Sequence, residues 1–346
     1  MNPAITRLFI PMGLATATTL GAGCLETLPE PWLIDDLRVL AVRAEPPEVQ
    51  PGQSVALDAL VVDPLNRPIS YAWYACIAPD LGTGFFSGAS ETSSSGGRGT
   101  GLSEDPFGDS CILRYEAGER WAVKLGNEPT ATLEVPADLF ETQDALKEAY
   151  GLSEDLVIPE DVEAGFLGIA GLNYRVTLVV EYEGGRVETQ KRVNVSLDLG
   201  LENNRPNTNP AAPVLHVADK ALDVEAPSSV EAPPEGRCFS APVPLTAGKT
   251  FRVTPTNLAE PLTYLVLLAG TTSGEAFEIL ENDEVTFFSF FTTKGRLDKE
   301  DTKSTAAPFN DWRLRAEDVG PADFWIVARD GRGGISWCHE PVLIGP

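Results

Sequence analysis

Residues 37–42 (LRVLAV) and 55–62 (VALDALVV) are short apolar runs in which aliphatic and β-branched side chains alternate with polar ones, and Pro47, Pro51 and Gly52 lie between them. Alternation of this kind makes a strand with one buried face, and clustered proline and glycine stop it from continuing. The same grammar recurs along the chain. Residues 70–76 (SYAWYAC) and 131–136 (ATLEVP) read as further strands, and residues 174–197 (YRVTLVVEYEGGRVETQKRVNVSL) as a long hairpin turning at Gly184 and Gly185. Five or more antiparallel strands with such turns predict a β-sandwich. A content of 31 Gly and 28 Pro against 2 Met suits many turns and few helices.

Two segments interrupt the pattern. Residues 82–105 are Gly/Ser-rich and predict a loop whose far end Cys111 pins. Residues 137–151 (ADLFETQDALKEAYG) predict a short helix: Asp138 and Glu141 have capping-box spacing, Leu139, Leu146 and Tyr150 share a face, and Gly151 can end it.

Residues 200–213 (GLENNRPNTNPAAP) lose strand character and gain Asn and Pro, and a chain of 346 residues is long enough for two domains. Beyond that stretch the earlier grammar returns. VQPGQSVAL (49–57) is echoed by LTAGKTFRV (245–253), PISYAW (68–73) by PLTYLV (261–266), and the first hairpin by FWIVARDGRGGISWC (324–338). These echoes predict a second copy of one architecture, with domains at 34–199 and 213–346 and a linker at 200–212.

The N-terminus carries an address. Residues 1–24 (MNPAITRLFIPMGLATATTLGAGC) hold one positive charge, Arg7, then an apolar stretch, then small residues up to Cys24. Pro11 and Gly13 break a segment already too short to span a bilayer, so residues 1–23 read as a secretory signal peptide. Gly21, Ala22 and Gly23 before Cys24 resemble a bacterial lipobox, with one departure: the bulky aliphatic sits at Leu20 and Gly21 takes its place. The resemblance implies that the Cys24 thiol receives diacylglycerol and becomes the new N-terminus. Residues 24–33 then form a proline-stiffened, lipidated spacer, and Leu25 after the cysteine implies export to the outer membrane.

Four other cysteines, Cys76, Cys111, Cys238 and Cys338, permit three pairings, and the simplest keeps each bridge within one domain: Cys76–Cys111 and Cys238–Cys338. No Cys-x-x-Cys occurs and His339 alone neighbours a cysteine, so neither a redox pair nor a metal site is expected.

PPEVQPGQSVAL, the aromatic YAWYAC strand, VTFFSFFTTKG and the glycine hairpins together resemble the immunoglobulin-like and PKD-like sandwiches found in tandem on Gram-negative surface lipoproteins. The resemblance implies an all-β fold of two immunoglobulin-like β-sandwich domains with a short helix inserted in the first. It also implies a membrane attachment through N-terminal lipid and an envelope protein or polysaccharide as partner. One feature departs from antibody domains, whose central Trp packs on a disulfide from other strands. Trp73 and Cys76 are three apart and so face opposite sides of one strand, which leaves Trp73 for the core and sends Cys76 outward or to the strand end.

The chemistry available is sparse. A net charge of −25 repels phosphate backbones and excludes nucleic acid as a partner. His216 and His339 are the two histidines, no Gly-x-Ser-x-Gly or His-Glu-x-x-His is present, and GTGFFSG (82–88) lacks dinucleotide-fingerprint spacing. Carboxylate pairs abound and spacing selects none of them for glycan hydrolysis. LENDEV (280–285), RLDKEDTK (296–303) and Asp330 are dense enough to consider for calcium, but read as solvated acidic loops. FFSFF (287–291) shows aromatics on both faces and reads as core; Trp312, Trp325 and Trp337 read as packing residues. The expectation is a lipid-anchored envelope protein without catalysis, cofactor or metal, acting as a binding or structural module. A glycan-binding or adhesion module is the alternative, with an acid-pair glycan hydrolase behind it.

Overall fold

The computed structural model describes residues 30–77, 111–139, 171–197, 205–222, 231–258, 260, 262–269, 277–304 and 308–346. Cys24, the Gly/Ser-rich segment and most of the segment expected to be helical lie outside them. Pro31–Pro346 form one compact unit.

The first sandwich is built from β1 (Arg38–Glu45), β2 (Glu48–Val49), β3 (Ser54–Val62), β4 (Ile69–Ile77), β5 (Val123–Gly126), β6 (Thr130–Glu134), β7 (Leu172–Tyr182) and β8 (Gly185–Val195). One sheet runs β1-β3-β6 and the other β2-β8-β7-β4-β5. Every neighbour pair is antiparallel except β2 with β8. The chain thus leaves the first sheet after β1 and lies parallel to the last strand of the second, an immunoglobulin-like order. Period-2 alternation explains the core. Val55 and Leu57 of β3, Trp73 and Ala75 of β4, Val176 and Leu178 of β7 and Val193 of β8 all turn into it. The Trp73 indole N–H donates to the Glu128 carbonyl at 2.9 Å, so the largest core side chain buries no unpaired donor.

The second sandwich repeats the plan with β9 (Leu215–Asp219), β10 (Leu245–Thr246), β11 (Thr250–Pro255), β12 (Thr263–Ala269), β13 (Phe277–Asp283), β14 (Phe287–Thr292), β15 (Arg296–Leu297), β16 (Asp301–Lys303), β17 (Asn310–Arg313), β18 (Gly320–Arg329) and β19 (Ile335–Gly345). Its sheets run β15-β17-β11-β9 and β10-β19-β18-β14-β16, and β10 lies parallel to β19 as β2 does to β8. Two of the three sequence echoes are structural. Gly52 and Gly248 take φ of 80° and 79° at the same turn before β3 and β11, and the β7–β8 hairpin corresponds to β18–β19. The third is not. PLTYLV falls on β12, which pairs with β13 in a separate two-stranded sheet; the counterpart of β4 is β14, which lies beside β18 as β4 lies beside β7. Alternation marks a strand without saying which sheet it joins.

The short helix of the described residues is α1 (Cys111–Glu116), absent from the sequence reading. Cys111 bonds Cys76 on the outward face of β4, away from Trp73, as their three-residue spacing requires. Tyr115 of α1 leans on Tyr74 with ring centroids 5.7 Å apart. The Cys238–Cys338 bridge lies instead inside the second core, beside Phe239, Phe324 and Trp312.

A third apolar cluster joins the sandwiches. Ile34, Leu40 and Ala41 from the first meet Trp325, Val327 and Ile335 from the second, with Phe291 and Trp337 at its margin. FFSFF therefore serves two cores: Phe288 and Phe290 fill their own sandwich while Phe291 faces the joint. Leu33 bridges to Thr292, and the Ile34 N–H donates to the Thr292 carbonyl at 2.9 Å, so the chain just ahead of β1 is laid against the second sandwich.

Candidate functional site

Polar groups concentrate where the two sandwiches meet. The β18–β19 turn, residues 330–334 (DGRGG), folds around the Asp330 carboxylate, which accepts the N–H of Arg332 at 2.7 Å, the N–H of Gly334 at 2.8 Å and Nδ2 of Asn207 at 2.9 Å. Asp330 is only 3% exposed. Glycine is required at 334, because a Cβ there would collide with that carboxylate and sit 2.9 Å from the Thr208 carbonyl.

The turn so formed projects Arg332 into the joint. Its Nη2 lies 3.3 Å from Glu48 Oε2 and 3.2 Å from the Arg205 carbonyl, its Nη1 3.6 Å from Glu284 Oε1, and its guanidinium 4.6 Å over the Tyr264 ring. Glu48 also accepts the Ser196 hydroxyl at 2.5 Å and the Asn207 N–H at 2.8 Å. The Lys191 ammonium of β8 donates to the Gly333 carbonyl. Asn209 donates to the Ala44 carbonyl and Glu45 Oε2, each at 2.7 Å, while its Oδ1 accepts the Ile335 N–H at 2.8 Å. The Asn/Pro stretch between the sandwiches is therefore pinned at Asn207 and Asn209.

Burial pushes the Asp330 carboxyl above its ordinary pKa, against the pull of Asn207, the two turn amides and Lys191. Burial raises Glu284 too, the Asp330 charge adds to it, and Arg332 opposes both. Two of the acidic stretches singled out in the sequence thus converge here, Glu284 from LENDEV and Asp330 from RDGRGG. These two carboxyls are withdrawn from solvent, whereas Glu281 and Asp283 of the same LENDEV stretch are exposed on β13. The physical cause differs at each: Arg332 supplies a cation beside Glu284, while Asn207 and the two turn amides satisfy Asp330. The third stretch stays apart, with Asp298 paired to Arg313 at 2.6 Å and Asp301 on β16. Among the described residues no group of three or more His, Cys, Asp and Glu side chains is arranged to hold a metal.

The histidines do not meet. His216 sits in the β9–β11 ladder opposite Thr254, whereas His339 stacks on Trp325 at 5.0 Å and reaches Asp323 with Nε2 at 2.8 Å. Trp312 is core and Trp325 lines the joint, while Trp337 carries the Arg43 guanidinium 4.7 Å over its ring.

A second feature was invisible in the sequence. The β12–β13 ribbon stands outside both sandwiches and leaves Leu262, Ile279 and Leu280 exposed at 51%, 54% and 39%. Ile279 and Leu280 are neighbours on one strand, so both faces of the ribbon show apolar side chains to solvent. Its base is held at Tyr264 by Arg332 and by the Glu284 N–H donating to the Leu262 carbonyl at 2.8 Å.

Cys76–Cys111 and Cys238–Cys338 are both formed, and such bridges persist in oxidising compartments outside the cytosol. No helix of the described residues is long and apolar enough to cross a membrane. No family model and no curated protein matches the chain. Among solved structures, red sea bream transglutaminase is 12% identical over 90% of this chain and 31% of its own, at a TM-score of 0.21. Yersinia pseudotuberculosis adhesin InvE is 11% identical over 88% of this chain and 58% of its own, at 0.17. The two tandem V-type regions of VCBP3, a v-region-containing chitin binding protein, are 13% identical over 89% of this chain and 100% of theirs, at 0.25. The chain thus spans about a third and under three fifths of the first two, and likenesses this distant add nothing to the strand order itself.

Proposed function

We propose that the chain is a lipid-anchored protein of the cell envelope, held at the outer membrane through Cys24 and acting without catalysis as a binding or structural module. The carrying observation is cysteine arithmetic: two disulfides consume Cys76, Cys111, Cys238 and Cys338 and leave Cys24 over. Gly21, Ala22 and Gly23 place that thiol where a lipobox cysteine stands, after a signal-like segment. More than one acyl chain, at about 0.8 kcal/mol per buried methylene, makes such an anchor nearly permanent. The non-catalytic reading is supported by the use of conspicuous polar groups as structural pins, Asp330, Arg332 and Glu284 among them. Growth of the native host with an alkyne-tagged fatty acid tests the anchor. Wild type is expected to take up label and Cys24→Ala to lose it while remaining folded; equal label in both ends the reading.

A further inference from the structure

We infer that β12 is a docking edge that takes an extended strand from another polypeptide, one with apolar side chains and basic flanks. Among the described residues its seven residues, TYLVLLA, pair with β13 on one side only, so within that set its other side presents unpaired backbone donors and acceptors. The other sheet edges of the described residues show how this fold ordinarily guards such a side. Charge interrupts β1 at Arg38 and Arg43, β5 at Lys124, β6 at Glu134, β9 at Asp219, β13 at Glu281 and Asp283, β15 at Arg296 and β16 at Asp301 and Lys303. The two-residue β2 and β10 are too short to template anything, and β2 carries Glu48. Among the sheet edges of the described residues β12 alone is both long and free of charge. A two-stranded ribbon with apolar side chains on both faces is marginal in water by itself, and a third strand completes it.

The occupant's chemistry follows from what faces it. Strand addition supplies main-chain hydrogen bonds for affinity, and alternate side chains set specificity. Leu265 and Val266 ask for apolar partners. Glu281 and Asp283 lie one strand away, Asp283 opposite Thr263 and Glu281 opposite Leu265, and the whole chain carries −25. That field attracts lysine or arginine at the ends of an incoming strand and opposes a second copy of the same chain. Because Arg332 grips both Tyr264 and Glu48, strand addition is also felt at the joint between the sandwiches.

The inference gives the binding reading its partner class and does not depend on the anchor, so failure here leaves the fatty-acid experiment untouched. The probe is an end-capped peptide of alternating valine and threonine with two lysines at each end, titrated into the purified chain. Its controls are the same peptide with a central proline and the same peptide with glutamates for lysines. The parent peptide is expected to bind, to slow amide exchange within Thr263–Ala269, and to bind at least about 10-fold more tightly than either control. Val266→Lys, which places a guard charge on the edge, is expected to weaken it by a similar factor at an unchanged melting temperature. No binding to wild type, equal binding of the proline peptide, protection elsewhere, or concentration-dependent self-association through β12 overturns the inference.

Discussion

Arg329 of the second sandwich donates from Nη2 to the carbonyl of Leu40 in the first, at 2.9 Å. The register of β1 against β3 skips at that residue, from Val39 opposite Val61 to Ala41 opposite Leu60, so Leu40 is the extra residue of a bulge. A carbonyl thrown out of the ladder needs a partner, and Arg329 is that partner, tied in turn to the Ser289 hydroxyl at 3.0 Å.

Arg329→Met keeps the apolar stem and removes the donor. It is expected to cost about 1.5–3 kcal/mol, the range for hydrogen bonds to charged groups. Urea unfolding should show a lower midpoint with the slope unchanged.

Arg332 is the cation shared by Glu48 and Glu284. Removing it in Arg332→Ala takes the cation from the mostly buried Glu48 and Glu284, and leaving such groups short of a partner is expected to cost about 1–3 kcal/mol. Since the compensating charge is covalently part of the chain, a chelator is expected to leave the wild-type melting temperature where it was. A fall on adding EDTA would show that a bound ion, not Arg332, organises these carboxylates.

The acid response has two opposed parts. Hydrogen bonds from the Arg67 side chain, at 2.8 Å and 3.0 Å, lead the causes that draw the Asp63 carboxyl down from 3.8 to about 2. A depressed folded pKa means stability that is complete above 3.8 and lost as pH falls through about 2. The melting-temperature gap between wild type and Asp63→Asn should therefore be constant from about pH 7 to 5 and close by about pH 2. Glu284, raised first by burial, has the opposite sign: folding takes up its proton, so wild type gains on Glu284→Gln as pH falls. Thermal scans of both variants across pH check the two signs together.

The two disulfides differ in what surrounds them. Their sequence separations of 35 and 100 give about 4 and about 4.7 kcal/mol in the chain-entropy account. Cys238 and Cys338 are also members of the second core, so replacing both with serine buries two hydroxyls there. Cys76 and Cys111 form a small buried cluster with Ala122 on the outer face of the β2-β8-β7-β4-β5 sheet. With all four cysteines at most 1% exposed, both double variants are expected to cost more than the loop lengths alone predict, measured by the shift in denaturation midpoint of each.

Local grammar was legible where backbone chemistry forces it. Gly52 and Gly248 need positive φ, and the β7–β8 hairpin turns at Gly184 with φ of 106°, so these turns could be read from residues alone. The outward placement of Cys76 followed from strand periodicity. What could not be read is what distance in sequence hides. Glu48 and Arg332 are 284 residues apart, and each looks like an ordinary surface charge until the joint is assembled. Helix α1 is only six residues, held by Cys76 and Tyr74 more than by any signal of its own. The resemblance of PLTYLV to a core strand misled because an inserted ribbon and a sandwich strand share one alternation.

Peptide mapping without reduction, on protein isolated from its native host, reads the cysteine pairing and the N-terminus together. Two linked pairs are expected, Cys76 with Cys111 and Cys238 with Cys338, on a chain that begins at a diacylglycerol-modified Cys24. Free thiols at those four positions, crossed pairs, or an intact leader on an unmodified Cys24 would contradict that expectation.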